Sequence, residues 1–389
     1  MKLSFSPRLS PFLKPSLFTN VHRSVCSASS IPPPPTTPKP QTPLFLRPPT
    51  HSTTTSDLQI WHDWANTLAS SVGSTFVDLD NGPDSTLLRR ELKWLMEDAI
   101  EEPKNIDNND GSVRLRVEIE ELYMLWKQRV EERRPFQYVV GCEHWRDLVL
   151  CVEEGVLIPR PETELIVDLV GDVVLGNEGL REGLWADLGT GSGAIGIGIA
   201  RVLGSGGRVI ATDLSPTAIG VAAFNVQRYG LQDVVELRQG SWFEPLKDVE
   251  GKLSGFVSNP PYIPSDNIAG LQAEVGRHEP RVALDGGANG MDDLLHLCKG
   301  AAVMLKPGGF FAFEFPSIPR FATTLESQNE VLVKAKTLVF PNCDYKTNDE
   351  EQCKYLVEYM ENDAGGSFCN LNMVPDFAGI NRFVTGFRR

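Results

Sequence analysis

The sequence has no stretch approaching the roughly 18 consecutive apolar residues that a membrane span needs, so we expect no membrane association. Its seven cysteines are odd in number and contain no CxxC pair, which argues against a disulfide framework and against a zinc site. Cys142 and His144 lie close together, but no second pair matches them, and we expect no metal. Basic residues are also few, with 37 Lys and Arg against 51 Asp and Glu. We therefore expect no direct nucleic-acid partner, because phosphate contacts need Lys and Arg.

Acidic residues are absent from the first 56 positions, which are rich in Ser, Thr and Pro and hold six Lys and Arg. The remaining residues 57–389 then carry a net charge of −20. Such a leading segment is typical of an organelle transit peptide, so we predict that residues 1–56 are disordered and outside the fold. The scarcity of arginine favours the chloroplast, with the mitochondrion as second choice, and Val25-Cys26-Ser27-Ala28 resembles a plastid processing site. A disordered cytosolic tail is the alternative.

A helical pattern runs from residue 57 to residue 134. Apolar residues recur at three- and four-residue steps in two runs: Leu88, Leu92, Leu95 and Ala99, then Leu115, Ile119, Leu122 and Trp126. We predict a small helical domain over 57–134, with a loop from Asn105 to Gly111. The aromatic residues expected in its core are Trp61, Trp64, Trp94 and Trp126. Residues 135–160 are predicted to be a linker, and Pro161 the first residue of a helix that opens the last domain, 161–389.

Strands and helices alternate after residue 184. Four buried strands are predicted: Leu184–Leu188, Arg208–Thr212, Gly255–Ser258 and Phe310–Phe315. A helix is predicted from Asp292 to Leu305, followed by a turn over Lys306–Gly309. This alternation predicts an α/β fold with a doubly wound, mostly parallel sheet, whose ligand crevice lies beyond the carboxyl ends of its strands.

A glycine-rich turn connects the first of these strands to a helix. Its sequence is Asp187-Leu-Gly189-Thr-Gly191-Ser-Gly193-Ala-Ile-Gly196, and Asp213 follows the next strand. Glycines allow the backbone to approach a ligand closely, and an acid at the second strand end can accept hydrogen bonds from ribose hydroxyls. The pattern fits a nicotinamide dinucleotide. It fits S-adenosylmethionine equally, in which case Asp187 is placed to interact with the amino-acid end of that cofactor.

The tetrapeptide Asn259-Pro260-Pro261-Tyr262 directly follows the third strand, so its side chains are expected at the crevice. A planar amide or aromatic amine is a poor nucleophile, and its methylation requires acceptors for its hydrogens. The Asn259 side-chain oxygen and the Pro260 carbonyl can accept them, Pro261 stiffens the turn, and Tyr262 can pack on the planar group. This motif favours a methyltransferase over a dehydrogenase.

With these motifs, the sequence resembles the HemK-type release-factor glutamine methyltransferases. The resemblance extends over most of residues 57–389 and includes Leu157-Ile-Pro-Arg-Pro-Glu-Thr-Glu164, Trp242-Phe243 and His278-Glu-Pro280. It implies a helical substrate-docking domain before a seven-stranded, Rossmann-like class I methyltransferase domain. It also implies methylation of the glutamine side-chain amide in the Gly-Gly-Gln loop of a release factor, by a monomeric enzyme.

The resemblance further assigns site residues. Those implied to bind S-adenosylmethionine are Asp187, Gly189, Thr190, Gly191, Ser192, Gly193, Asp213, Trp242 (beside the adenine) and Asn259. Asn259, Pro260, Pro261 and Tyr262 are implied to hold the glutamine, with Asn259, Pro260 and Tyr262 catalytic, whereas His278 is expected to position its loop.

Two positions depart from the family pattern. Ser241 replaces an acid, which puts a hydrogen bond to the adenine amine in doubt, and Pro316–Arg320 replaces a His-Gly…Gln-Gly stretch. An RNA or DNA exocyclic amine is the alternative substrate, since similar motifs serve those amines, but the acidic charge argues against it.

Overall fold

A computed structural model of the chain describes residues 40–101, 111–315, 349–362 and 366–389. Three features singled out in the sequence lie outside these residues: the processing site at 25–28, nearly all of the loop at 105–111, and the departure at 316–320. Within the described ranges, no helix combines the length and apolar character that a bilayer crossing requires.

The amino-terminal part of the described chain is helical, as predicted. Its helices are α1 (Thr55–Ser71), α2 (Thr75–Asp80), α3 (Ser85–Ala99) and α4 (Ile119–Val130). The apolar run on α3 is buried, and so are Trp61 and Trp126. The indole N–H of Trp126 donates to the Ala65 carbonyl at 3.0 Å. Trp64 is partly buried against the same core. The prediction for Trp94 is wrong: its side chain is 43% exposed, because it lies off the buried row of α3.

The predicted boundary at residue 56 is also wrong, because the folded chain begins earlier. Strand β1 (His51–Thr54) pairs antiparallel with β2 (Ser112–Leu115), so Leu115 belongs to a strand and not to the predicted helical run. Leu44 is fully buried in the helical core. The Thr54 hydroxyl accepts a hydrogen bond from the Asp57 N–H and caps α1. The amino-acid composition of residues 44–54 does not reveal that they are folded, because the residues that they contact lie far away in the sequence.

Residues 135–160, predicted as a linker, are folded. They form α5 (Phe136–Val140) and a hairpin of β3 (Cys142–Trp145) and β4 (Leu148–Cys151). The buried Asn225 side chain anchors the hairpin: its Nδ2 donates to the Cys151 carbonyl at 3.0 Å, and its Oδ1 accepts from the Cys151 N–H at 2.8 Å. The linker prediction fails because these residues are held by a helix far along the chain.

A seven-stranded sheet carries the rest of the core, as predicted. In spatial order its strands are β10 (Phe368–Pro375), β11 (Asn381–Arg388), β9 (Leu305–Glu314), β8 (Leu253–Ser258), β5 (Leu184–Leu188), β6 (Arg208–Asp213) and β7 (Val235–Gln239). Strands β5 to β9 are parallel, and β10 and β11 are antiparallel to their neighbours. All four predicted strands are confirmed, although β9 begins at Leu305, the predicted end of the helix, and includes Lys306–Gly309, where a turn was predicted; Leu305 pairs with Leu253.

Helices cover both faces of the sheet and enclose two hydrophobic clusters. They are α6 (Glu164–Val174), α7 (Glu178–Arg181), α8 (Ala194–Leu203), α9 (Pro216–Arg228), α10 (Ala273–His278), α11 (Asp292–Met304) and α12 (Asp349–Asn362). The prediction for α11 is confirmed to within one residue. Pro161 does not begin a helix, because residues 161–163 form a turn and α6 starts at Glu164. The strand order reverses at β5, which lies between β6 and β8, so a crevice opens at its carboxyl end.

A buried cluster of ion pairs joins the helical part to α10, in the segment that follows β8. The Arg129 guanidinium lies 2.7 Å from the Glu91 carboxylate and 3.0 Å from that of Glu274. Arg133 contacts Glu274 at 2.5 Å and Asp80 at 2.9 Å. Each buried charge is thereby paired, and the helices are fixed against the segment next to the crevice.

Candidate active site

A cavity of about 210 Å³ lies at the carboxyl ends of β5, β6 and β8, where the strand order predicts a crevice. Of the predicted site residues it is lined by Gly189, Thr190, Gly191, Ser192, Asp213, Trp242, Asn259 and Pro261. A second cavity of about 100 Å³ is lined by Asn259, Pro260 and Tyr262, with Arg160. Asn259 borders both cavities and therefore stands between them.

The buried side chain of Asp187 holds the glycine-rich turn in place through hydrogen bonds. This carboxylate is fully buried at the end of β5, and its Oδ2 accepts hydrogen bonds from the Gly196 N–H at 2.8 Å and the Thr190 hydroxyl at 2.5 Å. Burial raises the pKa of Asp187 to about 7, against the lowering effect of Thr190. Asp187 and Gly193 line neither cavity. Asp187 thus holds the turn and Gly193 packs against α9, while the cofactor contacts of these two residues stay predictions.

Gly193 shows why this turn needs glycine. Its φ is +85°, in the left-handed region that favours glycine. A β-carbon there would lie 3.3 Å from the Ala222 side chain, closer than an ordinary contact. The helix α8 begins directly after it, so the backbone of the turn faces the cavity while its far side packs tightly.

Asp213 lies at the end of β6, on the cavity wall. Its Oδ2 accepts from the Gly191 N–H at 2.9 Å, and its Oδ1 accepts from the Ser215 N–H at 2.9 Å. Burial raises its pKa, while these backbone donors favour the ionised form. The carboxylate is therefore fixed in orientation, and each oxygen keeps acceptor capacity for a hydroxyl in the cavity.

Trp242 also lines the cavity and has an unusual backbone, with φ of +46°. Its ring lies near the Gly189 backbone, 3.7 Å from where a β-carbon would stand. Ser241 lines the same region, and so does Asp293 near the start of α11. Burial raises the pKa of Asp293, and the Trp242 indole opposes this by favouring the ionised carboxylate. An acid thus faces this end of the cavity although residue 241 is not one.

The Asn259–Tyr262 segment leaves β8 at Ser258, whose hydroxyl donates to the Leu188 carbonyl at 2.7 Å and ties the two strand ends together. The Asn259 Nδ2 donates to the Thr163 hydroxyl oxygen at 3.2 Å. Burial raises the pKa of the Tyr262 phenol, which therefore stays neutral at ordinary pH. The segment supplies hydrogen-bond acceptors and an aromatic surface, and no strong base.

Arg160 and Glu279 connect the two loops that flank this segment. The Arg160 Nη2 donates to the Glu279 carboxylate at 2.6 Å, and the other oxygen of Glu279 accepts from the Ile158 N–H at 3.3 Å. The Glu279 side chain is almost fully buried. His278 Nε2 lies 3.0 Å from the Glu132 carbonyl oxygen and lines neither cavity, so it contacts the helical part instead.

Comparison with known proteins decides the family. A family model described as a methyltransferase domain matches residues 185–359. A release factor glutamine methyltransferase of Gloeobacter violaceus is 45% identical over 227 residues, which are 56% of this chain and 77% of the relative. The chain belongs to the release factor glutamine methyltransferase family. The proteins of that name from Thermosynechococcus vestitus (44% over 202 residues; 52% of this chain, 68% of the relative) and Synechocystis sp. (41% over 230 residues; 58% and 76%) agree.

Membership of the release factor glutamine methyltransferase family resolves the choice of cofactor that the glycine motif left open. The cofactor is S-adenosylmethionine, and the fold is that of the class I methyltransferases that use it. The residues present fit such a ligand, because a glycine turn, Asp213 and Trp242 line one cavity. Thr212 also lines the cavity, and its buried hydroxyl has no hydrogen-bond partner among the described residues.

Sequence reasoning about this family member missed several residues of the site. Asp293 carries no motif, and only its position one residue into α11 is a weak signal. Thr163 lies within the Pro-Arg-Pro-Glu-Thr-Glu string, which by itself indicates no role for it, although it lines the main cavity and bonds to Asn259. Glu279, in the His-Glu-Pro string, is the buried partner of Arg160. Their roles depend on contacts between distant segments.

Proposed function

We propose that this enzyme methylates the side-chain amide nitrogen of the glutamine in the Gly-Gly-Gln loop of a peptide chain release factor. The single observation that carries the proposal is the position of Asn259, which borders the cofactor cavity on one side and the smaller cavity on the other. The relatives at 41–45% identity bear the name of that reaction.

The residues of the chain act by binding and orientation. The Gly189–Ser192 backbone, Asp213, Trp242 and Asp293 would hold S-adenosylmethionine in the larger cavity. When bound, this cofactor supplies an electrophilic methyl group on a sulfonium. The Asn259 Oδ1 and the Pro260 carbonyl accept the two hydrogens of the substrate amide and direct the face of its nitrogen toward that cavity. Tyr262 packs on the amide plane.

Orientation carries most of the rate in this mechanism. Holding two reacting groups in line contributes about 7–11 kcal/mol in well-oriented systems. No base is needed to activate the amide: its nitrogen would bond to the methyl carbon as the carbon–sulfur bond breaks, S-adenosylhomocysteine would be the leaving group, and the methylated nitrogen would then lose one proton to water. The neutral Tyr262 phenol is consistent with this sequence of events.

A methylation assay tests the proposal. The purified protein is incubated with methyl-labelled S-adenosylmethionine and either a release factor, the same factor with its Gly-Gly-Gln glutamine replaced by alanine, or total organelle RNA. Label in the unaltered factor alone is the expected result, with mass spectrometry locating one methyl group on the glutamine. Label in the RNA and none in the factor would instead establish the exocyclic-amine alternative.

We further propose that the enzyme acts in the chloroplast, as a monomer. The absence of acidic residues from positions 1–56 supports a chloroplast location. The folded residues from 40 onward set the end of any targeting segment. A fluorescent reporter fused to residues 1–39 is expected in chloroplasts, whereas a diffuse cytosolic signal would contradict the proposal. Light scattering of the purified protein measures the oligomeric state.

A further inference from the structure

Arg160 is a charged residue of this site to which the proposed mechanism gives no task. It lines the smaller cavity together with Asn259, Pro260 and Tyr262, and the rest of that lining is apolar. It does not line the larger cavity, which holds the residues that fit the cofactor. A guanidinium that borders a largely apolar cavity is costly to desolvate, so its position calls for an explanation.

The guanidinium of Arg160 is held in place, but only part of it is used. Its Nη2 donates to the Glu279 carboxylate at 2.6 Å, and the Trp145 indole N–H donates to the Arg160 carbonyl at 2.9 Å. Its Nε and Nη1 have no hydrogen-bond partner among the described residues, and the side chain is 30% exposed. Because arginine stays protonated in proteins, these N–H groups are permanent donors that a ligand in the cavity can reach.

The amide of a substrate glutamine needs a partner for its oxygen as well as for its hydrogens. In the proposed function, the Asn259 side-chain oxygen and the Pro260 carbonyl accept the two hydrogens. The cavity of about 100 Å³ has room for the three heavy atoms of a carboxamide, since one water-sized group needs about 10–15 Å³. The carbonyl oxygen leaves water when it enters, and an unsatisfied acceptor would weaken binding.

Few side chains of this cavity can donate to that oxygen. Among the described residues that line it, only Arg160, Asn259 and Tyr262 carry side-chain donors. The Asn259 nitrogen donates to the Thr163 hydroxyl oxygen at 3.2 Å, and its oxygen serves as an acceptor in the proposed function. Tyr262 packs on the face of the amide, whereas a donor to a carbonyl oxygen approaches near the amide plane. Arg160 is the donor that remains.

We propose that Arg160 is a substrate-binding residue that donates a hydrogen bond to the carbonyl oxygen of the glutamine side chain and thereby selects a carboxamide. This inference rests on the proposed function, because it completes the set of partners that the function requires for the amide. Glu279 supports the selection: its carboxylate balances the charge of the guanidinium, which on its own would favour a glutamate side chain.

A hydrogen bond to the carbonyl oxygen acts on binding and not on the chemical step. As the nitrogen lone pair turns toward the methyl carbon, the amide loses conjugation and its oxygen becomes a weaker acceptor. The bond is therefore no stronger in the transition state than in the bound substrate. Its removal should raise KM and leave kcat near the wild-type value.

Arg160→Met keeps the length of the side chain and removes its donors. From the usual worth of a hydrogen bond to a charged group, the KM for release factor should rise about tenfold to a hundredfold. The kcat and the Kd for S-adenosylmethionine should stay within about twofold, because Arg160 lies outside the larger cavity. Arg201→Met, which breaks a similar pair with Asp147 at an exposed position, is the matched control and should keep the wild-type KM. An unchanged KM in Arg160→Met would overturn the inference.

A binding measurement separates recognition of the amide from a structural role. Calorimetry of the enzyme with S-adenosylhomocysteine compares the release factor with one in which methionine, which has no carbonyl in its side chain, replaces the glutamine. Arg160→Met should reduce the ratio of the two Kd values about tenfold to a hundredfold, by weakening only the glutamine factor. Equal weakening of both factors would show that Arg160 merely holds its loop. Loss of the ratio in Tyr262→Phe, with none in Arg160→Met, would also overturn the inference.

A second variant covers a failure to fold, because Arg160→Met leaves the buried Glu279 without its charged partner. If thermal melting shows such a failure, the double variant Arg160→Met/Glu279→Gln removes both charges and should show the same loss of selectivity. If the wild type labels RNA and no release factor, the proposed function fails and the inference fails with it. If the wild type methylates the factor and the double variant keeps the wild-type ratio, only the inference fails.

Discussion

Replacing Asn225 tests whether a single buried side chain holds both the β3–β4 hairpin and the glycine-rich turn in place. This fully buried side chain on α9 makes three hydrogen bonds: with the N–H and the carbonyl of Cys151, and with the carbonyl of Ser192 in the glycine turn at 2.8 Å. Asn225→Ala leaves three backbone groups without these partners. At about 1–2 kcal/mol for each unsatisfied buried group, the free energy of unfolding should fall by about 3–6 kcal/mol.

Urea denaturation followed by fluorescence measures this change without cofactor, so that ligand binding does not contribute. Because the Ser192 carbonyl is one of the groups released, the affinity for S-adenosylmethionine should also fall, as measured by calorimetry. Gln227→Ala on the exposed face of the same helix is the control and should change stability by less than about 0.5 kcal/mol. A loss below about 1 kcal/mol for Asn225→Ala would refute the claim that this residue anchors the hairpin and the turn.

Three further outcomes are expected. Asn259→Ala should lower kcat on release factor at least about a hundredfold, with cofactor affinity near normal by calorimetry, because a positioned acceptor is lost while the cofactor cavity remains; a mild loss would contradict the acceptor role. Asp293→Asn should weaken S-adenosylmethionine binding severalfold in the same calorimetric measurement, since it removes the acid that faces Trp242; unchanged affinity would exclude Asp293 from the cofactor site. Glu274→Gln should destabilise the protein by about 1.5–3 kcal/mol in urea, because Arg129 and Arg133 lose a charged hydrogen-bond acceptor that they share and keep only Glu91 and Asp80; a variant as stable as wild type would show that this cluster is not what holds α10.

Short local patterns predicted those parts of the fold that neighbouring residues decide. The turn at Gly189–Gly193, the strand ending at Ser258 and the helix α11 all lie where the sequence placed them. Each depends on backbone preferences and on apolar periodicity within a few residues, which a single sequence displays directly.

Contacts between segments that are far apart in the sequence could not be predicted from local sequence patterns. Residues 51–54 look like part of a polar leader, yet they complete a strand pair with residues 112–115. Residues 142–151 look like a linker, yet they form a hairpin held by Asn225. Asp187 has the spacing of a cofactor ligand, and its hydrogen bonds to Thr190 and Gly196, which hold the glycine-rich turn, are visible only in the structure.

By itself the sequence determined the alternating α/β architecture, the glycine turn and the Asn259–Tyr262 segment at a strand end, because each is written in adjacent residues. Only the tertiary structure decided which polar groups meet. Thr163 and Asn259 come from two separate segments, and Asp293 reaches Trp242 from another helix. A buried polar group takes its partner from whatever segment packs beside it, and that choice is made by the folding of the whole chain.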